Sequence, residues 1–331
     1  MSTEPIIHRA VIGAGLMGHG IAQVLATVPG TVWLYDISVS ALDEALTRID
    51  NALTMLVRHG LTDESNSNDI LGRINVTTDL ATAVEEAIFV VEAVPENLEL
   101  KQSIFSDIGK IVNADTVLAT NSSSFQIGQI ASLVENAERV VGSHFFLPAQ
   151  IIPLVEVSRG SFTSEETMIR TVELWKSCGK EPIRVERDIP GYVANRLQAA
   201  LTREAVSLVA RGVASAEDID TAVRRSIGLR SVVSGPLEQR DIAGLDLHVD
   251  ISRQLWPDLD QSQEPHQYVL NKLKEGDLGL KTGCGFYDWT GKDPEVVRST
   301  KNDVLLSLVS YLARLTSASL KINSGGEIID K

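Results

Sequence analysis

Short apolar runs alternate along the first half of the chain with longer stretches whose apolar positions recur every three to four residues. The runs at residues 9–13, 31–35, 74–77, 88–93, 117–120, 140–146, 153–157 and 183–186 read as short buried strands. Between them, residues 17–26, 39–58, 80–87, 98–111 and 164–178 have helical spacing. The stretch 39–58 shows it most fully. Ala41, Leu42, Ala45, Leu46, Ile49, Leu53, Leu56 and Val57 share one face, and Arg48 and Arg58 lie on the other. The polar, Asn- and Ser-rich segment 62–68 is expected to be a surface loop. Strand and helix alternate as in a doubly wound α/β sheet.

The alternation stops near Asp188. Pro190-Gly191 is a turn signal, and almost everything after it is helical: 192–212, 216–226, 236–255, 267–275, then a glycine-rich 276–287 and an amphipathic helix over 293–315. A polar tail from residue 316 is expected to fray. The expected organisation is a doubly wound domain over 1–188, an all-α domain over 189–290, and a C-terminal helix and tail over 291–331. The 331 residues suffice for this.

Composition narrows the function. A hydrophobic fraction of 44% fits a globular protein. The formal net charge of −14 argues against nucleic acid and anionic membrane surfaces as partners. No apolar run reaches the length of a membrane span, and residues 1–9 lack the form of a secretory signal, so a cytoplasmic location is expected. Cys178 and Cys284 match no metal spacing and read as free thiols, so no metal is expected.

The first strand runs into Gly13-Ala14-Gly15-Leu16-Met17-Gly18 and then a helix. Gly13 permits a tight turn, Gly15 admits a pyrophosphate close to the backbone, and Gly18 lets helix and strand pack closely. The second strand ends in Asp36, eighteen residues beyond Gly18, where a carboxylate can accept hydrogen bonds from both ribose hydroxyls. The same charge repels a 2′-phosphate, and no arginine follows closely, so this Rossmann-type fingerprint favours NAD over NADP.

Ligands of such sheets sit at the carboxyl ends of strands. Glu92, Glu96 and the cluster Asn121-Ser122-Ser123-Ser124 fall there, although the cluster also reads as a helix N-cap. His144 closes another strand, and Glu156 sits within the next. A histidine that moves a proton needs a group to orient its ring and balance its charge, and a buried carboxylate does both.

Several ordered motifs resemble the 3-hydroxyacyl-CoA dehydrogenase family, which includes 3-hydroxybutyryl-CoA, gulonate and carnitine dehydrogenases. They are the glycine loop, Val91-Glu92-Ala93-Val94-Pro95-Glu96-Asn97-Leu98, Ala119-Thr120-Asn121-Ser122-Ser123-Ser124, the His144 stretch, Pro190-Gly191-Tyr192-Val193-Ala194-Asn195-Arg196-Leu197, and Lys281-Thr282-Gly283-Cys284-Gly285-Phe286-Tyr287. The resemblance implies His144 as base, Glu156 as its orienting carboxylate, and Ser123 and Asn195 as polar contacts to substrate. It implies NAD contacts from Gly13, Gly15, Leu16, Met17, Gly18, Asp36, Glu96, Lys101, Asn121 and Lys281. It also implies a helical second domain that builds a homodimer.

The departures concern the substrate. Leu147 stands where the family motif usually has asparagine. Ala52 and His59 stand where mitochondrial-type members have a serine and a lysine that contact CoA, leaving Arg58 as a phosphate contact. Residues 228–238 resemble the gulonate and carnitine branch, and Arg230 there can clamp a free carboxylate or form an ion pair. Lys281 to Tyr287 resembles the CoA enzymes. The expected activity is NAD-dependent oxidation of a short-chain 3-hydroxyacyl-CoA. The alternatives are the same chemistry on a free 3-hydroxy acid, or a crystallin-like relative without turnover.

Overall fold

The computed structural model describes residues 7–317. The chain divides into two compact units, one of Met1–Val193 with Lys301–Lys331 and one of Ala194–Thr300. Of the segment 291–331, expected to stand apart, residues 291–300 belong to the second unit and 301–317 to the first. The tail beyond Ser317 lies outside the described residues.

The first unit opens with β1 (His8–Ile12), α1 (Gly18–Leu25), β2 (Thr31–Tyr35), α2 (Val39–Arg58), α3 (Glu64–Gly72), β3 (Ile74–Thr77) and α4 (Leu80–Val84). It continues with β4 (Ala87–Glu92), α5 (Leu98–Ile111), β5 (Val117–Thr120), α6 (Ile127–Ile130), β6 (Val140–Phe145), β7 (Leu154–Ser158), α7 (Glu165–Ser177) and β8 (Glu181–Val185). The strands form one eight-stranded sheet in the order β3-β2-β1-β4-β5-β6-β7-β8. Every pairing is parallel except β6 with β7. The chain leaves β1 toward β2 and β3, then returns to β4 on the other side. That reversal opens a crevice at the carboxyl ends of β1 and β4.

Apolar periodicity explains the layers. Leu42, Ala45, Ile49 and Leu53 of α2 are buried against one face of the sheet with α1 and α7, while α4, α5 and α6 pack on the other. Trp175 of α7 is fully buried, with ring edges against Phe89 at 5.5 Å and Phe145 at 4.9 Å. Its Nε1 donates to Ser143 Oγ at 3.0 Å. Ser143 and Phe145 share one face of β6, so anchoring them directs His144 to the opposite face.

The second unit contains α8 (Ala194–Ala210), α9 (Ala216–Ala222), a π-helical turn (Val223–Ile227), α10 (Gly228–Val233), α11 (Pro236–Ala243), α12 (Leu245–Leu255) and α13 (Gln267–Glu275). Val233, Leu237 and Ile242 are among its exposed apolar side chains. α14 (Pro294–Ser317) begins here and continues into the first unit. Among the described residues, no helix is long and apolar enough to cross a membrane.

Three local expectations need correction. The loop expected over 62–68 is largely helix α3, because Asp63 caps it by accepting from Asn66 N at 2.8 Å and Ile70 is buried. The helix expected from Tyr192 starts at Ala194, since Gly191 and Tyr192 have φ of 77° and 46°. The helix expected to stop at Ser226 runs on through the π turn, with Gly228 in ordinary helical geometry.

Trp175→Ala should lower the unfolding free energy by about 3–5 kcal/mol, measured by urea denaturation followed by far-UV circular dichroism. A loss below about 1 kcal/mol would show that Trp175 is not a packing centre.

Candidate active site

The glycine loop fits a pyrophosphate. Gly13 has φ of 104°, and a β-carbon there would lie 2.8 Å from Ala93 O. A β-carbon on Gly18 would lie 1.7 Å from Gly13 O, so only glycine allows α1 to meet β1 this closely. A β-carbon on Gly15 would enter open space, the side left clear for a ligand. Leu16 is exposed and Met17 half-buried beside it. Asp36 ties the loop to the end of β2, accepting from Ala14 N at 2.9 Å and Ser38 N at 3.0 Å. Each carboxylate oxygen has a second lone pair for a ribose hydroxyl.

His19 belongs to this loop although no sequence motif marks it. It is buried, and its Nδ1 lies 2.9 Å from Gly15 O. Burial pushes the ring below the usual histidine range, against the Gly15 contact and with help from Arg48, which favours the neutral form.

Beyond β4 lies a buried charge network. Glu92 Oε1 accepts from Lys101 Nζ and from Val94 N, each at 2.7 Å, and Oε2 accepts from Thr120 Oγ1 at 2.7 Å. Lys101 Nζ also stands 3.2 Å from Glu96 Oε2. Glu96, partly exposed, accepts from the hydroxyls of Ser122 and Ser124. Burial raises its carboxyl, but those hydroxyls and Lys101 outweigh it and hold the group down at about 2. Lys101, expected to face a cofactor, is only 1% exposed. Its amine is engaged inside the protein by Glu92 and Glu96. Glu92 at its centre was visible in sequence only as a carboxylate at a strand end.

The Asn121 side chain also turns inward. Its Oδ1 accepts from Phe145 N at 2.9 Å, extending the β5–β6 ladder by one bond and bringing the serine loop alongside His144. The cap expected there is present in part: Ser122 Oγ accepts from Phe125 N at 3.1 Å, while the Asp188 carboxylate accepts from Ile127 N at the start of α6. Ser123, between the two serines that hold Glu96, is half-buried.

His144 and Glu156 face each other across the antiparallel β6–β7 ladder, with Nδ1 2.8 Å from Oε2. Glu156 is fully buried, and its Oε1 accepts from Val193 N at 3.0 Å. A carboxylate at Nδ1 retains a proton there, so the neutral ring presents Nε2 as acceptor. The ring is 6% exposed and packed by Phe146 at 4.7 Å and Tyr192 at 5.5 Å between centroids. Leu147, where the resemblance leads one to expect asparagine, is half exposed just beyond. The remaining expected site residues are on other elements. Arg58 is exposed in the last turn of α2. Asn195, Arg230 and Lys281 belong to the second unit, on α8, on α10 and in the turn after α13.

Family models for the 3-hydroxyacyl-CoA dehydrogenase NAD binding domain and C-terminal domain match residues 8–189 and 191–289. The chain is 34% identical over 299 residues to 5-formyl-3-hydroxy-2-methylpyridine 4-carboxylate 5-dehydrogenase of Mesorhizobium japonicum, covering 90% of this chain and 96% of that one. The solved structure of a 5-dehydrogenase of that acid, described as an NAD+-dependent dismutase, is similar with a TM-score of 0.87 at 34% identity, covering 93% and 99%. The structure of (S)-3-hydroxybutyryl-CoA dehydrogenase from Ralstonia eutropha is similar with a TM-score of 0.72 at 33% identity, covering 86% and 100%.

Removing one partner of a buried pair leaves the other charge uncompensated. Lys101→Met should therefore cost about 3–5 kcal/mol in urea unfolding, and adding Glu92→Gln should restore much of it. A single variant within about 1 kcal/mol of wild type would contradict this role.

Proposed function

We propose a reaction for this chain, which belongs to the 3-hydroxyacyl-CoA dehydrogenase family and is an NAD-dependent oxidoreductase acting on a CH–OH group: His144 removes the hydroxyl proton of a small 3-hydroxy acid. The observation that carries the proposal is the buried His144–Glu156 pair, which leaves Nε2 as the acceptor. The loop Gly13 to Gly18 with Leu16 and Met17 holds NAD, Asp36 takes its ribose, and Glu96 and Lys281 add contacts. NAD, when bound, supplies the acceptor for the hydride leaving the substrate carbon. Ser123 and His144 hydrogen-bond the substrate hydroxyl, and Asn195 completes the polar surroundings. His144 takes the proton at Nε2 as the C–H bond breaks, and Glu156 stabilises the resulting imidazolium. General-base catalysis of this kind contributes on the order of 10²–10⁴-fold.

The free-acid reading is supported by α14, which lies beyond the matched family domains. It packs on the end of α2, with Asp303 Oδ1 3.3 Å from His59 Nε2 and Ser310 Oγ donating to His59 O at 3.1 Å. His59 is one of the two positions where the resemblance implied a CoA contact, and here it is engaged by the protein itself. The pyridine-carboxylate enzyme also covers more of this chain, with a TM-score of 0.87 against 0.72, although the Clostridioides difficile 3-hydroxybutyryl-CoA dehydrogenase is the more identical in sequence, at 36% against 34%. Arg230 clamps the carboxylate. A second reading, a short-chain 3-hydroxyacyl-CoA with Arg58 on a phosphate, is favoured by the Lys281 to Tyr287 segment and by the family's CoA-dependent members. In either case, the exposed apolar residues of the second unit pair two copies into a homodimer that works in the cytoplasm.

His144→Ala should lower turnover by about 10²–10⁴-fold while retaining NADH binding; near-normal turnover would overturn the assignment. NADH formation should be seen with 3-hydroxybutyrate, gulonate, carnitine or a hydroxymethylpyridine carboxylate, with Arg230→Ala raising KM. Activity confined to 3-hydroxybutyryl-CoA rejects the free acid and leaves the second reading.

A further inference from the structure

The turn that joins the strand of His144 to the strand of Glu156, residues 146–153, contains no ionisable side chain. A buried cation holds it. Lys180, 8% exposed between α7 and β8, donates from Nζ to Ala149 O at 2.6 Å and to Ile152 O at 2.9 Å. Within the turn, the N–H groups of Ile151 and Ile152 both donate to Pro148 O at 3.0 Å. The turn is thus a single coil of backbone, closed on itself and fastened at two carbonyls to one ammonium.

The other side of the turn lies against the cofactor helix. Ala149 is buried, and a β-carbon added to Gly20 of α1 would stand 2.6 Å from Gln150 Oε1 and 3.1 Å from Ala149 Cβ. Any shift of the turn therefore presses on α1, whose first residue closes the glycine loop, and pulls on both strands of the His144–Glu156 ladder.

A buried ammonium costs more than an apolar side chain filling the same space. The ionisable group beside Lys180 is the buried thiol of Cys178, itself raised by burial, with Arg9 of β1 beyond it. The ionisable side chain of α1 is His19, and β8 adds Glu181 and Arg184, Arg184 being tied to Glu165 and Glu186. The two short bonds of Lys180 go to the turn.

We propose that Lys180 is a positioning residue for this site: its ammonium fixes the turn 146–153 against α1, so that NAD affinity depends on the charge of a side chain that touches neither cofactor nor substrate. Its effect on turnover rests on the proposed role of His144; its effect on NAD binding does not. Burial pushes the Lys180 amine down to about 8. As pH rises through that value, the group keeps two donors but loses charge assistance, and the turn loosens.

The test is a fluorescence titration of NADH into the full chain between about pH 6.5 and 9.5, for wild type, Lys180→Met and Lys180→Gln, with amide hydrogen exchange read at Ile151 and Ile152. Wild-type affinity should fall by about threefold to tenfold as pH rises through about 8, and the fall should be absent from both variants. Lys180→Met should bind more weakly throughout and exchange faster at both amides. Lys180→Gln, neutral but still a donor, should lie between. If Lys180→Met does not fold, the comparison of wild type with Lys180→Gln decides. Wild-type affinity and exchange in Lys180→Met would overturn the proposal. So would a pH dependence that persists in both variants, which assigns it to His19 or Cys178. Turnover plays no part in the assay, so failure of the proposed reaction leaves this result readable.

Discussion

The structure depends on one antiparallel pairing in an otherwise parallel sheet. Where β6 meets β7, His144 and Glu156 fall opposite each other. A one-residue slip of register would turn both side chains to the wrong face. A fully buried carboxylate is tolerable only with hydrogen-bonding partners, and the His144 ring and the Val193 N–H are two of them. The surroundings hold that register in place. Trp175 anchors the far face of β6, Lys180 grips the turn between the strands, and the N–H of Val193 reaches Glu156 at the chain's exit toward the second unit.

The cofactor side is built on a different economy of charge. A protein of net charge −14 binds an anionic dinucleotide through local geometry. At the topological switch beside β1, glycines bring backbone to the ligand and Asp36 is held by two backbone N–H groups. The neighbouring strand ends are fixed by Glu92, Lys101 and Glu96. In that network the only lysine charge is consumed internally, so it stiffens the serine loop and does not neutralise phosphate.

Much of this is legible in sequence because it rests on short-range rules. Strand-length apolar runs gave the sheet, and α2 followed from its stripe of Leu42, Ala45, Ile49 and Leu53. The glycine spacing with Asp36 marked the candidate cofactor loop, within the stretch that the NAD binding domain model matches. What was hidden depends on distant packing. Lys101 resembled a ligand contact until the fold buried it against Glu92, 9 residues earlier in the chain. His19, Lys180 and Asn121 act by holding backbone, and side-chain type alone does not reveal which carbonyl or N–H a group will meet. Helix α3 was obscured because its residues are poor helix formers, held by the Asp63 cap and buried Ile70. The contact between His59 and Asp303 spans 244 residues, and no local pattern announces it.

The most direct measurement is a nitrogen-15 NMR titration of the holoenzyme labelled at histidine, following the two ring nitrogens of His144. If Glu156 retains the proton on Nδ1 and leaves Nε2 to accept the substrate proton, raising the pH removes the proton from Nε2 while Nδ1 stays protonated, and Glu156→Gln weakens that preference. Loss of the proton from Nδ1, with Nε2 still protonated, would contradict the assignment of His144 as a base oriented by Glu156.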